Sequence, residues 1–275
     1  MSETQRVAVE AFRNLHAEGC FVLPNPWDVG SAMYLRHLGF KALATTSSGF
    51  AFTKGLLDEA PMVDAVLEHV RDIVQATSLP VNADFRNGHA DAPEGVAENV
   101  TRCIATGTAG LSIEDSTGNT ETPLYDIQLA VERIKAARRA IDDSGMPLVL
   151  TGRCEAFLTR DRNAFVVSLQ RLTAYADAGA DCLYAPGVTD PFQIEEIVKQ
   201  VSPKPVNVLV SRPDPNLTLA RLTDLGVRRI SVGSGLARVA WGAFMRAAQD
   251  IATTGTFDSL GESAAFAELE DVFKT

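Results

Sequence analysis

A short phrase recurs along this chain and limits the folds that are open to it. A helical pattern ends in glycine and an apolar run follows within a few residues, as in HLGFKALATTS, TGTAGLSIED, DAGADCLYAP and DLGVRRISVGS. Glycine takes the left-handed conformation that ends a helix, and an unbroken apolar run is typical of a strand buried on both faces. The phrase therefore predicts repeated units in which a helix is followed by a buried, parallel strand.

The number of these units predicts the architecture. Eight apolar runs are predicted as strands, at residues 20–24, 41–46, 80–84, 110–115, 147–152, 181–186, 205–210 and 229–234. Eight amphipathic patterns alternate with them, at residues 28–38, 61–77, 92–106, 126–143, 162–178, 190–201, 215–225 and 236–252. Because doubly wound sheets usually have fewer strands, the alternation predicts an α/β fold, a closed (β/α)8 TIM barrel.

Helical patterns at both ends of the chain lie outside the eightfold count. One at about residues 4–17 precedes the first strand and is predicted to cover the bottom of the barrel. We predict that residues 1–254 form a barrel catalytic domain and that residues 255–275 form a C-terminal helical tail. The segment AAFAELEDVF has an apolar face at helical spacing. Two placements are open for it: an extra helix on the same subunit, or a helix swapped onto a partner subunit.

The charge of the chain argues against two classes of partner. Its formal net charge is −10, so neither nucleic acid nor an anionic membrane is expected as a partner. None of the four cysteines is in a CxxC pair, which argues against a zinc or redox motif. The first residues lack the apolar segment of a signal peptide, and no apolar run is long enough to cross a bilayer. We expect a cytoplasmic protein.

Charged residues follow three successive predicted strands. The active site of a TIM barrel lies at the carboxyl ends of its strands, where Asp84, Glu114 and Arg153 are found. Two carboxylates in one pocket repel each other unless a cation lies between them, and Mg²⁺, or Mn²⁺ in its place, prefers such oxygen ligands. The arginine suits a carboxylate or an enolate oxygen. In the alternative interpretation, Asp84 caps a loop and Glu114 forms a structural salt bridge with Arg153.

Other strand ends carry polar groups that are candidates for substrate binding. The backbone N–H groups of Ser48, Gly49 and Phe50 could hold an anion, or the segment could be a plain turn. The remaining candidate substrate-binding residues at strand ends are Trp27, Asp28, Tyr184 and Asn207. Asp115 and Glu155 are interpreted as supporting or surface groups.

Four motifs at successive strand ends resemble one known group of enzymes. The motifs SSGF, NADF, IED and GR are similar to those of the isocitrate lyase/phosphoenolpyruvate mutase superfamily, over roughly residues 6–255. The segments LPNPWDVGSA, VNADFRNG and SVGSGLARVAWGAF are most similar to its carboxyphosphonoenolpyruvate mutase-like branch. The resemblance implies a barrel enzyme that binds Mg²⁺ and a small 2-oxo acid, and that makes or breaks a C–C or C–P bond next to an enolate.

The resemblance also implies roles for particular residues. The segment Ser48–Phe50 holds a substrate carboxylate, Asp84 and Glu114 hold the metal, and Arg153 matches the arginine that follows strand five in the family. Asp58, in GLLDEA, matches an aspartate on the loop of residues 51–60, which closes over the site. Family members commonly form tetramers by exchanging a C-terminal helix, so a homotetramer or dimer formed through this helix is expected.

Two departures from the family pattern bear on the reaction. The family motif DAD is NAD here, so Asn82 takes the place of the first acid and would help to hold the metal through its amide oxygen. The Lys-Lys-Cys-Gly-His loop of isocitrate and methylisocitrate lyases is replaced by DSTGNTETPLYD, which contains no cysteine. Asn119 and Thr120 in this segment match the polar contacts that mutases and phosphonopyruvate hydrolases make with their substrates.

These observations predict a Mg²⁺-dependent lyase. Its substrate would be a small 2-oxo or 2-hydroxy di- or tricarboxylate, split by C–C cleavage or decarboxylation through a metal-stabilised enolate, with Glu114, Arg153 and Asp58 as catalytic residues. The first alternative is a phosphonopyruvate-type mutase or hydrolase, with Ser211, Arg212 and Ser234 near the phosphonate. The second is a barrel that binds a 2-oxo acid without catalysis.

Overall fold

The structure is a computed structural model of the chain and describes residues 2–58, 60 and 62–274. Three predictions extend to residues outside this range. They are the start of a helix at residue 61, the part of the closing loop at residue 59, and the limits of the two predicted segments at residues 1 and 275.

Eight parallel strands form one curved sheet. The strands are β1 (Phe21–Leu23), β2 (Leu43–Ala44), β3 (Val81–Asp84), β4 (Gly110–Glu114), β5 (Val149–Arg153), β6 (Cys182–Tyr184), β7 (Val206–Leu209) and β8 (Arg229–Ser231). They are hydrogen-bonded in the order β1-β8-β7-β6-β5-β4-β3-β2. Between β1 and β2, the amide of Ala44 donates to the carbonyl oxygen of Pro24 at 3.0 Å. The sheet is therefore a nearly closed barrel, and the predicted (β/α)8 fold is confirmed.

Helices surround the barrel. They are α1 (Glu3–Ala17), α2 (Val29–His37), α3 (Ser47–Thr53), α4 (Val63–Gln75), α5 (Pro93–Ile104), α6 (Ile127–Asp143), α7 (Ala164–Asp177), α8 (Pro191–Val201), α9 (Leu219–Asp224), α10 (Gly235–Thr254) and α11 (Phe266–Phe273). A short 3₁₀ helix, Asp258–Glu262, precedes α11. The helix predicted at 215–225 starts later because Thr218 caps it, accepting from the amide of Arg221 at 3.3 Å.

One helix, α3, was not predicted. The strand predicted at 41–46 ends at Ala44, because the chain then turns and Thr46 becomes the N-cap of α3. The hydroxyl oxygen of Thr46 accepts from the amide of Gly49 at 3.3 Å. A side chain at Gly49 would not fit, since its Cβ would lie 2.5 Å from Cγ2 of Thr46 and 2.9 Å from Cβ of Trp27. The glycine thus permits close packing in a helix, rather than a turn.

As predicted, α1 covers the amino-terminal end of the barrel. Phe12 is fully buried there. The ring of His16 lies between Phe12 and Arg229: its Nδ1 is 2.7 Å from the carbonyl oxygen of Phe12, and its Nε2 is 3.2 Å from Nη1 of Arg229. Burial, and then the charge of Arg229, lower the pKa of His16 to about 3. The ring is therefore neutral, with Nδ1 donating to Phe12 and Nε2 accepting from Arg229. Arg229 also donates to Oδ1 of Asn207 at 2.9 Å and to Oγ1 of Thr151 at 3.0 Å.

The last two α-helices each have one buried residue among those that the structure describes. Helix α10 ends at Thr254, at the predicted limit of the barrel segment, although this division of the chain stays a prediction. Only Ala237 of α10 is buried among the described residues. The tail helix α11 lies against α2 of the same chain, with Val272 buried. Within the described part of the chain, no helix combines the length and apolar character needed to cross a membrane.

Candidate active site

A cavity of about 270 Å³ opens at the carboxyl ends of the strands. Three predicted residues meet on its wall because their strands are neighbours: Glu114 is paired in register with Arg153, and Asp84 lies one strand further along. Nη1 of Arg153 lies 3.1 Å from Oδ1 of Asp84 and 3.2 Å from Oε2 of Glu114. The Nε atom of the same guanidinium pairs with Glu155. Three carboxylates therefore share one arginine, which is itself 5.3 Å from the ring centroid of Tyr184.

The charges in this cluster are not balanced. Burial raises the pKa of Glu114 to about 8; Arg153 opposes this rise, whereas Glu155 and Asp84 add to it. Burial also raises the pKa of Glu155, whereas the positive charge of Arg153 lowers it. Burial alone would lower the pKa of Arg153, but Glu155, Glu114 and Asp84 raise it well above its usual value. The site thus keeps its arginine charged and carries more carboxylate than one guanidinium can compensate.

The donor atoms on this wall fit a hard divalent cation. Asp84 and Glu114 present carboxylate oxygens to the same nitrogen, so the two groups lie close together. Oδ1 of Asn82 is buried without a hydrogen-bond partner, and Asn82 lines the same cavity. Within residues 2–58, 60 and 62–274, no three His, Cys, Asp or Glu side chains are grouped as a metal cage. Two carboxylates and an amide suit an ion such as Mg²⁺, which keeps several waters.

Helix α3 forms the adjoining wall. The amide of Ser47 donates to Oδ2 of Asp84 at 2.9 Å, which fixes that carboxylate from a second side. The hydroxyl of Ser48 donates to Oδ2 of Asp58 at 2.6 Å, and both residues line the cavity. Oδ1 of Asp58 is buried without a partner. The structure therefore brings Ser48 and Asp58 beside the acidic cluster.

Several predicted site residues lie elsewhere. The ring of Phe50 points away from the main cavity and stacks on His69, with 4.2 Å between ring centroids. Trp27 and Asp28 line a separate outer hollow of about 560 Å³, together with Phe50. Asp28 is occupied as the cap of α2, where its Oδ1 accepts from the amide of Ser31 at 2.7 Å. The side chains of Trp27 and Asp28 therefore do not line the main cavity. The backbone N–H groups of Gly49 and Phe50, predicted to hold a carboxylate, instead donate to Oγ1 and to the carbonyl oxygen of Thr46.

The loop after β4 also differs from expectation. Ser116 and Leu124 form an antiparallel bridge that folds the loop back on itself. Asn119 is exposed at its tip, where its Oδ1 accepts from the amide of Glu121 at 2.8 Å, and it does not line the cavity. Tyr184 and Asn207 do line the cavity, as predicted from their strand ends.

Asp115 is a buried acid that contacts the cluster from the side of the helix layer. Asp115 follows Glu114 and faces the helix layer, where its Oδ1 accepts from the amide of Glu155 at 2.8 Å. Its Oδ2 accepts from Arg171 at 3.1 Å and from the hydroxyl of Tyr175 at 2.6 Å. Asp115 therefore ties the backbone of Glu155, the partner of Arg153, to α7.

Sequence reasoning missed three residues that shape the cavity. Asn25 donates to the carbonyl oxygen of Thr45 at 2.9 Å and accepts from the amides of Val232 and Gly233 at 3.0 and 2.8 Å, so it joins β1, β2 and β8. Arg86 and Arg229 line the cavity as additional cations. Arg86 follows Asp84 by two residues, and this spacing was the signal available in the sequence.

Comparisons with known proteins agree with the fold. The family model for phosphoenolpyruvate phosphomutase matches residues 12–252, so the chain belongs to that family. The family resemblance of the strand-end motifs is confirmed.

Individual relatives cover nearly the whole chain. An uncharacterized protein of Mycobacterium tuberculosis (strain H37Rv) is 32% identical over 262 residues, 94% of this chain and 95% of that one. An oxaloacetate decarboxylase of Pseudomonas entomophila is 30% identical over 232 residues, 81% of this chain and 77% of that one. A solved structure from Burkholderia cenocepacia J2315 is named only by its class, lyase/mutase. It matches with a TM-score of 0.96 and 45% identity, covering 99% of this chain and 98% of that one.

Proposed function

We propose that the chain is a lyase that depends on Mg²⁺, with Mn²⁺ as a substitute, and acts on a small 2-oxo or 2-hydroxy di- or tricarboxylate. The observation that carries the proposal is the cluster of Asp84, Glu114 and Glu155 around Arg153, in a cavity at the carboxyl ends of the strands. Decarboxylation of oxaloacetate is the reaction that we favour, because one relative is an oxaloacetate decarboxylase.

The chain supplies fixed charge where an enolate would form. When bound by Asp84 and Glu114, with help from the Asn82 amide oxygen, a divalent cation would supply Lewis-acid polarisation of the 2-oxo group. Arg153 adds a positive charge. Its guanidinium is held in place by Glu155 and lies over the ring of Tyr184. A charge that is fixed before the reaction stabilises a developing oxyanion without having to reorganise.

The overall charge of the cavity explains how an anion would be attracted. Its described walls carry four carboxylates and three guanidinium groups, a net charge of −1 when all are ionised; these come from Asp58, Asp84, Glu114, Glu155, Arg86, Arg153 and Arg229. One divalent cation reverses the sign of this charge. The cavity would then attract a dicarboxylate, although the whole chain is acidic.

The proton that converts the enolate to product would come from a hydroxyl group or water. The described cavity lining contains no cysteine or histidine. Ser48 lines the cavity with its hydroxyl bonded to Asp58. Burial raises the pKa of Tyr184 to about 12, so this phenol stays protonated at neutral pH. This arrangement fits decarboxylation, which does not need the cysteine of the isocitrate lyase loop.

A phosphonate mutase or hydrolase is the second candidate. The matching family model is that of phosphoenolpyruvate phosphomutase, and Ser211 and Ser234 line the cavity on the β7 and β8 side, where hydroxyls would suit a phosphonate. Arg212 does not line the cavity, so the contact predicted between its guanidinium and the phosphonate is not supported.

One panel of spectra tests these functions. The purified chain is incubated with Mg²⁺, or with EDTA, and with oxaloacetate, isocitrate, 2-methylisocitrate, alkyl malates or phosphonopyruvate, and proton and phosphorus NMR spectra are recorded. We expect Mg²⁺-dependent conversion of oxaloacetate to pyruvate. Samples without protein but with the same Mg²⁺ correct for uncatalysed loss. A shifted phosphorus signal would support the phosphonate enzyme, line broadening without product would support a non-catalytic binder, and turnover that persists in EDTA would contradict the metal assignment.

We also propose that the chain forms a homodimer or homotetramer through α10 and the tail helix. Four apolar side chains of α10 are 40–70% exposed, which is costly in water and typical of an interface; they are Val239, Trp241, Phe244 and Met245. Sedimentation velocity is expected to give a multiple of the 29.5 kDa chain mass, and Phe244→Asp should lower it. Val7→Asp, at an exposed apolar position on α1, is the control. A wild-type monomer would refute the proposal.

A further inference from the structure

Arg86 is a cation on the cavity wall whose side chain has no bonded partner in the described part of the chain. Its side chain is half-buried and lines the cavity, and among the described residues it forms neither an ion pair nor a side-chain hydrogen bond. The other two arginines of the wall are engaged. Arg153 pairs with three carboxylates, and Arg229 is hydrogen-bonded to Asn207, Thr151 and His16. Of these three cations, Arg86 has the guanidinium group that is available to a ligand.

The backbone at Arg86 is unusual for a residue with a side chain. Its φ is +48°, and His89 in the same loop has a φ of +53°, both in the left-handed region that L residues disfavour. Such conformations persist only where the surroundings impose them, and they cluster at functional sites.

The surroundings of this loop do impose its shape. Arg133 of α6 is buried, and its guanidinium donates to the carbonyl oxygens of Asn87, Ala90 and Asp91. On its other side, Arg133 lies 4.0 Å from the ring centroid of Tyr125. Among the described residues Arg133 forms no ion pair, so its burial costs stability, and its hydrogen bonds hold this loop in one conformation.

The loop is also tied to the acidic cluster. The carbonyl oxygen of Arg86 accepts from the amide of Glu114 at 2.9 Å, so Arg86 is fixed between the ends of β3 and β4. Asp84 and Glu114, the candidate metal ligands, end those two strands. A 2-oxo acid bound at these ligands would therefore have Arg86 on the same side of the cavity.

We propose that Arg86 binds a second carboxylate of the substrate, beyond the 2-oxo acid core, and so makes the site selective for dicarboxylates over monocarboxylates. This role rests on the proposed function and specifies its substrate class. Arginine suits the task because its planar guanidinium pairs with a carboxylate through two hydrogen bonds, and because Arg86 needs to break no existing ion pair to do so.

The test compares two four-carbon ligands by calorimetry with Mg²⁺ present. 3,3-Difluorooxaloacetate carries the second carboxylate, and 2-oxobutyrate has the same chain length without it. Arg86→Asn removes the charge, and asparagine tolerates a positive φ. We expect this variant to bind the dicarboxylate about 10–100-fold more weakly, the effect of losing a charged hydrogen bond, and to bind 2-oxobutyrate with nearly unchanged affinity. Arg86→Lys, which keeps the charge, should retain part of the selectivity.

Arg160→Asn is the matched control. Arg160 also has a positive φ, +58°, and lies after β5 at the same end of the barrel, but it is exposed and outside the cavity. This control should leave both affinities unchanged. If the wild-type chain binds both ligands and Arg86→Asn keeps the same ratio of affinities, the role of Arg86 is refuted and the proposed function stands. If the wild-type chain binds neither ligand, the proposed function fails, and this inference fails with it.

Discussion

Replacing Arg153 by lysine is expected to lower kcat by about 10²–10³-fold, the usual effect of losing one donor that stabilises an oxyanion, and to change KM far less. The guanidinium reaches Asp84, Glu114 and Glu155 at once, through nitrogens that point in different directions. A lysine has one ammonium group on a flexible stem and cannot hold the same positions. Steady-state kinetics on the substrate that the NMR panel identifies would measure the effect.

Two controls separate this loss from indirect effects. A Mg²⁺ titration of the variant shows whether saturating metal restores kcat, as it would if Arg153 only kept the carboxylates in place for the ion. Arg160→Lys, outside the cavity, should behave like the wild-type chain. An unchanged kcat in Arg153→Lys would show that the cluster is a structural ion pair, the alternative that the sequence left open.

Replacing Asp115 by asparagine is expected to lower the free energy of unfolding by about 3–5 kcal/mol, the cost of breaking one side of a buried ion pair. Asp115 is 2% exposed and accepts from Arg171, Tyr175 and the amide of Glu155. Asparagine has the same shape but no charge, and its NH₂ group would face donors. Urea unfolding, followed by circular dichroism, would give the difference.

The comparison for Asp115 is a second aspartate-to-asparagine change at an ion pair. Asp64 pairs with Arg102, but its side chain is 82% exposed. Because exposed ion pairs contribute about 0–1 kcal/mol, Asp64→Asn should have little effect. Equal losses in the two variants would contradict the supporting role assigned to Asp115.

The fold and the acidic cluster were predictable because they follow from periodic signals. Strand and helix patterns alternate along the chain, and the ends of parallel strands meet at one end of a barrel. Asp84, Glu114 and Arg153 needed only that rule. The sequence could not give the burial that raises the pKa of Glu114, since burial depends on the packing of distant segments.

The residues that were misplaced or missed depend on local competition or on distant contacts. Asp28 is drawn into a cap because Ser31 lies three residues beyond it. Asn119 lies outside the cavity because the bridge between Ser116 and Leu124 folds its loop back on itself. The loop that follows Arg86 is held by Arg133 of α6, which donates to the carbonyl oxygen of Asn87, and no pattern in the sequence near this loop predicts that contact.

The contacts that close the barrel have a consequence for how the chain is made. His16 and Arg229 are 213 residues apart in sequence, and Asn25 and Gly233 are 208 apart. During synthesis, the early strands therefore cannot be closed into a barrel until β8 has left the ribosome. Until then the growing sheet has a free edge that another chain can pair with, and contacts this distant in sequence form slowly. The nascent chain is thus most open to misassembly just before its last fifth emerges, the stage at which a chaperone would protect it best.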